Sequence, residues 1–259
     1  AEAIAAANAG DTITFLTDIT EDVTITKDLT IDGVTHKYTG NISVKGAQVD
    51  VVIKNVNFEN GTGYAITTNT IKSITVEDCT VTNYAYGFLY ANKSTPTVNV
   101  KNVTVTGGNY GFHWVYGTTA TLENVTMTNV KYGIYVQNYA AKTINIKDSN
   151  ISSIDIWERE GYSAVQTFKF EGANKVVTLE NSEYAKYVLA TTAATLTAPE
   201  GVSVTTDAAG YTVKYEDGKY GGKGKVAIGE ATYASLAEAI AAANAGDTIT
   251  FLTDITEDV

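Results

Sequence analysis

The 259-residue chain is 44% hydrophobic and 18% charged, with a formal net charge of −11. That length supports a sizeable core, and a pI near 4.6 argues against a nucleic-acid backbone or an anionic membrane surface as partner. The single cysteine, Cys79, excludes intramolecular disulfides and cysteine-based zinc sites, and no apolar run is long enough to span a bilayer as a helix.

The chain opens on a repeat. Residues 1–23, AEAIAAANAGDTITFLTDITEDV, recur letter for letter as residues 237–259, a period of 236. The chain therefore reads as one full period of a tandem array plus a short overlap. The second copy shows more of its upstream context. There Ser235 and Glu238 form a capping box, Leu236, Ile240 and Ala243 mark an apolar stripe, and Gly246 sits at the C-cap. These features predict a capping helix over 235–245, and residues 1–10 read as a truncated form of it. The apolar Ala1–Ala9 stretch recurs internally, so it is not read as a signal peptide.

Residues 11–195 carry a shorter period. An Asn or Asp recurs at Asn55, Asp78, Asn102, Asn124, Asp148 and Asn181, at spacings of 23, 24, 22, 24 and 33. Alternating apolar residues precede it, as in strands. A second register starts at Tyr64, Tyr86, Tyr110, Tyr132 and Tyr162, and each tyrosine opens another short strand. Three short strands per 22–24 residues predict rungs of a parallel β-helix, stacked about 4.8 Å apart. The residue before the Asn/Asp position reads Lys54, Glu77, Lys101, Glu123, Lys147, Glu180, alternating in sign at every step. In-register stacking explains that alternation, because opposite charges on neighbouring rungs attract and like charges repel. These residues are expected to form an outer charge ladder beside a ladder of side-chain amides. Cys79 falls on an inward position and reads as a small buried hydrophobe.

The segment 153–163, SIDIWEREGYS, reads as an insertion that lengthens one rung by about eight residues. If Tyr132 and Ile134 point inward, Tyr135 points outward, and so does His113 one rung earlier. Trp157, Arg159, Tyr135, His113 and Leu89 then form one surface patch, able to stack on sugar rings and bind acidic groups. Farther on, residues 196–222 read as a C-terminal cap, with a hairpin around Asp217 and Gly218. Residues 223–259 read as linker and start of the next identical module. The acidic stretch Asp18–Asp22, repeated at 254–258, lacks the ligand spacing of a calcium loop. No cofactor or metal is implied.

The capped helix, the segment AGDTITFL at 245–252 and the V-x-V-x-N-x-x-V rungs together resemble the right-handed parallel β-helix of the pectin-lyase-like superfamily. The wording of residues 228–252 is similar to repeats in large tandem-repeat surface proteins of bacteria and archaea. The resemblance implies an all-β fold: a right-handed parallel β-helix with a short N-terminal capping helix and a C-terminal strand or hairpin cap. It also implies an extracellular, cell-surface location. Enzymes of that superfamily cleave acidic polysaccharides with clustered acidic residues or a catalytic arginine. Here the only arginine is Arg159, in the Glu158–Glu160 loop, and Lys101 separates Glu77 from Glu123. An ammonium there favours both ionised carboxylates, so neither is poised as a general acid.

The expectation is a non-enzymatic extracellular module of a stiff adhesin stalk or fibre. Its partners are neighbouring identical modules, with a host or cell-surface glycan or protein as a further contact. The alternative is a glycan-binding or polysaccharide-degrading β-helix.

Overall fold

A computed structural model describes residues 1–137, 139–157, 162, 164, 166–181, 187–196, 205–206, 211–212, 214–216, 219–221, 226–229, 231–233, 236–251 and 255. The chain winds into a parallel β-solenoid of about six turns, entered through a short helix, Glu2–Ala6. Lys27 Nζ donates to the carbonyls of Ala5 (3.4 Å) and Ala7 (2.6 Å) and so closes that helix's C-terminal end. After the coil, Tyr187–Leu196 pairs antiparallel with Lys219–Gly221, and Lys214–Glu216 pairs antiparallel with the same strand. These two short strands flank Asp217 and Gly218, where the sequence predicts a hairpin.

Strand alternation builds the interior. On one face the inward column runs Ile31, Ile53, Val76, Val100, Leu122 and Ile146, each directly above the last. All six are 2% exposed or less. Cys79 lies in register with Val103, and Val103 with Val125. Its thiol is buried and donates to the Glu77 carbonyl at 3.1 Å. Phe15 stacks on Tyr38, Tyr38 meets Phe58 edge-on and Phe58 meets Tyr84 edge-on, with ring centroids 5.8, 5.7 and 6.1 Å apart. Such pairs add roughly 0.5–1.5 kcal/mol each beyond their burial.

The Asn/Asp ladder marks a corner. Asn55, Asp78, Asn102, Asn124 and Asp148 all have left-handed backbone, with φ between 46° and 54°. Asn and Asp adopt that conformation more readily than other L-residues. Their side chains also bond from rung to rung. Asn55 Nδ2 donates to Asp32 Oδ1 (3.0 Å), Asn102 Nδ2 to Asp78 Oδ1 (2.8 Å), and Asn124 Nδ2 to Asn102 Oδ1 (3.0 Å). The Asn55 amide, with the Val34 N–H and Lys54 behind it, holds the Asp32 carboxyl below the usual carboxylate range.

The charge ladder stacks in register as Asp32, Lys54, Glu77, Lys101, Glu123, Lys147 and Glu171. Ion pairs join Lys54 to Asp32 at 3.6 Å, Lys101 to Glu123 at 3.5 Å and Lys147 to Glu171 at 3.5 Å. Two members of the sequence-derived ladders are therefore corrected. Glu180 pairs with Asp155 and Asn181 with Ile156, on a different face of the coil. The words TLEN at 121–124 and again at 178–181 suggested equivalence, but Lys142–Lys147 stacks on Gln166–Glu171. That register restores a step of 24, from Lys147 to Glu171, in place of 33.

A helix spans Leu236–Ala242, shorter than 235–245, and Ile249–Phe251 forms the following strand. Ser235 and the side chain of Glu238 lie outside the described residues, and so does their capping box.

Candidate functional site

The outer surface of another face carries rings. Its strands Tyr64–Thr82, Gly87–Ser94, Tyr110–Tyr116, Tyr132–Gln137 and Asn150–Trp157 stack in parallel. One column runs Tyr64, Gly87, Tyr110, Tyr132. Gly87 has φ +139°, and a Cβ there would lie 1.7 Å from the Tyr110 carbonyl oxygen, so only glycine fits. Across that gap Tyr64 and Tyr110 lean together, with ring centroids 6.0 Å apart. Three residues along, a second column runs Thr67, Tyr90, His113, Tyr135, Asp155.

The two columns interlock. Tyr90 lies 4.6 Å from His113, Tyr64 5.2 Å from Tyr90, Tyr110 4.9 Å from His113, and Tyr110 5.2 Å from Tyr132. Tyr135 meets His113 edge-on at 4.9 Å. His113 is bonded on both nitrogens, to Tyr64 Oη at 2.9 Å and to Gln137 Nε2 at 3.1 Å. An amide nitrogen only donates, so Nε2 accepts from Gln137 and Nδ1–H donates to Tyr64. Burial pushes the His113 pKa down to about 4. Burial first, and neighbouring phenols second, push the Tyr64 and Tyr135 hydroxyls above the usual tyrosine range. His113, Tyr64 and Tyr135 are thus neutral near pH 7. The two columns form one packed aromatic surface.

Burial pushes the Cys79 thiol up to about 12, far from a reactive thiolate. Lys101 separates Glu77 from Glu123 and pairs with the latter. Among the described residues no three His, Cys, Asp or Glu side chains converge, and no described helix is long and apolar enough to cross a membrane.

At the edge of this face lies a second aromatic group. Tyr139 stacks on Tyr116 at 5.1 Å and meets Tyr162 (4.7 Å) and Trp157 (6.1 Å) edge-on. Tyr116, Trp157 and Tyr162 are 39%, 39% and 42% exposed. A groove of about 340 Å³ lined by Lys93, Ser94, Pro96, Tyr116, Gly117 and Thr118 adjoins Tyr116.

Of the patch expected from sequence, His113 and Tyr135 come together. Trp157 stands in register with Gln137 and touches Tyr139 rather than those two rings. Arg159 lies outside the described residues. Leu89 is a correction: it pairs with Phe112 and is fully buried, and the outward neighbour of His113 is Tyr90. A one-residue offset in a strand exchanges its faces. Tyr132 is likewise corrected, since it lies on the outer surface against Tyr110 and Tyr135. Nor does the rung insertion begin at Ser153. Ile154, Asp155 and Trp157 pair in register with Ile134, Tyr135 and Gln137. Sequence reasoning did not assign Tyr90, yet it follows Gly87 by three residues, as His113 follows Tyr110 and Tyr135 follows Tyr132.

Comparison of the chain with protein-family models, with curated proteins and with solved structures found no match.

Proposed function

We propose that the chain is a non-enzymatic repeat module of an extracellular surface protein, related to the right-handed pectin-lyase-like β-helices. Its work is mechanical: end-to-end coils make a stiff stalk or fibre whose reach is set by copy number. One observation carries this reading. The 23 residues at the two ends are identical, and both copies form a helix, a turn and a strand in the same order. A charge ladder that pairs Asp32 through Glu171 along the coil axis suits a rod rather than a catalytic cleft. Electron microscopy of chains with two, four and eight units tests it. Particle length rising in proportion to unit number supports the stalk; compact particles of constant length refute it.

A second reading has its own support in the exposed rings of Tyr116, Trp157 and Tyr162 around Tyr139. Exposed aromatic faces stack on sugar rings, so this edge is a glycan-contact surface on the same rod. A glycan array tests it: binding lost in Trp157→Ala supports the contact, and binding to no glycan refutes it.

A further inference from the structure

The two copies of the 23-residue repeat give two half-views of one structure. Their local geometry agrees. Asn8 N donates to Asp11 Oδ2 at 2.7 Å and Asn244 N to Asp247 Oδ2 at 2.8 Å, while Gly10 and Gly246 have φ +89° and +97°. Their burial is complementary. Ala239 is fully buried, but its counterpart Ala3 is exposed. Ile240 and Phe251 are 49% and 59% exposed, but their counterparts Ile4 and Phe15 are half-buried against the core. The cause is what lies beside each copy. The first sits on the coil. The second has a hairpin instead: Val226–Ile228 pairs antiparallel with Ala231–Tyr233 and with Ile249–Phe251, and helix Leu236–Ala242 packs on both hairpin strands.

The first copy presents a matching open edge. Among the described residues its strand Thr12–Thr14 pairs with Leu29–Asp32 along one side only. Phe15 N donates to the Asp32 carbonyl at 2.9 Å, and the Asp11 carbonyl accepts from Thr30 N at 3.0 Å. Strand alternation therefore turns the Thr12 and Thr14 backbone groups toward the opposite, open side. Beside it runs an apolar groove of about 200 Å³ lined by Ile4, Ile13, Phe15, Ile19, Ile31 and Tyr38, with Leu16 88% exposed at its rim.

We propose that this N-terminal face is the docking site for the Val226–Tyr233 hairpin of a preceding copy of the same unit. The second copy supplies the register. Ala227 lies opposite Thr250 and Ile228 opposite Ile249, which places them opposite Thr14 and Ile13 at the docked face. Each unit boundary is then a shared cap, in which one copy's hairpin seals the next copy's core and joins it through Ser235 and Leu236. The proposal rests on the repeat-module reading and specifies its joint.

The test adds residues 225–236 ahead of Ala1 in the full chain and follows amide hydrogen exchange. Docking slows exchange at Thr12 and Thr14 at least tenfold and raises the melting temperature, and Ala227→Pro in the added segment reverses both. Unchanged exchange at Thr12 and Thr14, or equal slowing with the proline variant, overturns the proposal. Rods that still lengthen with unit number would leave the repeat reading standing and remove only this joint.

Discussion

Asn102→Ala probes the corner ladder at its middle. Asn102 holds φ at +52°, donates to Asp78 Oδ1 at 2.8 Å and accepts from Asn124 Nδ2 at 3.0 Å. Each exposed bond contributes about 0.5–1 kcal/mol. Alanine also loses the tolerance of asparagine for left-handed backbone, where a Cβ costs about 1–2 kcal/mol. Asparagine bears part of that cost already, so the expected net loss is about 2 kcal/mol. Asn102→Gly loses the same two bonds but relaxes the backbone, against some gain in unfolded-state entropy. It should be milder than alanine by about 0.5–1 kcal/mol. Urea unfolding at fixed pH and salt measures both. A loss below about 0.5 kcal/mol for alanine, or a glycine variant no better than alanine, refutes the account of this corner.

Three further outcomes follow from the electrostatics. Glu123→Lys places a third ammonium between Lys101 and Lys147 on the same column and breaks the 3.5 Å pair with Lys101. It should cost about 1–2 kcal/mol at low salt and markedly less in about 1 M NaCl, read by urea unfolding. His113 titrates near 4 when folded and at about 6.5 when unfolded. The unfolded chain therefore binds the extra proton first, and stability falls as pH drops from about 6.5 to 4, by roughly 2–3 kcal/mol. His113→Gln should flatten that window; an unchanged pH profile contradicts the buried, doubly bonded imidazole. Lys142 is buried, donates to the Gln137 and Ala140 carbonyls, and has its pKa pushed down to about 8 by burial. Between about pH 8 and 9.5 the folded amine sheds its proton while the unfolded one keeps it. Stability therefore rises with pH there, and thermal melts of Lys142→Met should lack the rise.

The periodic parts of the fold were legible because stacking makes every rung repeat the same physical demand. The left-handed corner asks for Asn or Asp, and the charged column asks for alternating signs. Both are visible in single letters from residue 54 to residue 148. Legibility failed where local wording imitates the pattern. Thr178–Asn181 spells the same four residues as Thr121–Asn124, and only the hydrogen-bonded register shows that Gln166–Glu171 fills the next rung. It failed again where strict alternation breaks. Phe88 and Leu89 are both buried, as are Gly133 and Ile134, so parity counted through those pairs puts Leu89 and Tyr132 on the wrong faces. The aromatic columns were half visible. The Tyr-Gly signature drew attention to Tyr86, whereas Gly87 is the residue in register with Tyr64 and Tyr110.

Cross-linking tests the stacking itself most directly. Thr80 and Thr104 are exposed partners on adjacent rungs, and Thr126 lies one rung beyond. With both residues of a pair changed to cysteine under mild oxidant, Thr80→Cys/Thr104→Cys should form an internal disulfide, visible as a gel-mobility shift reversed by reductant. Thr80→Cys/Thr126→Cys spans two rungs, about 9.6 Å, beyond disulfide reach, and should stay reduced. Efficient closure of the second pair with none in the first would contradict the coil.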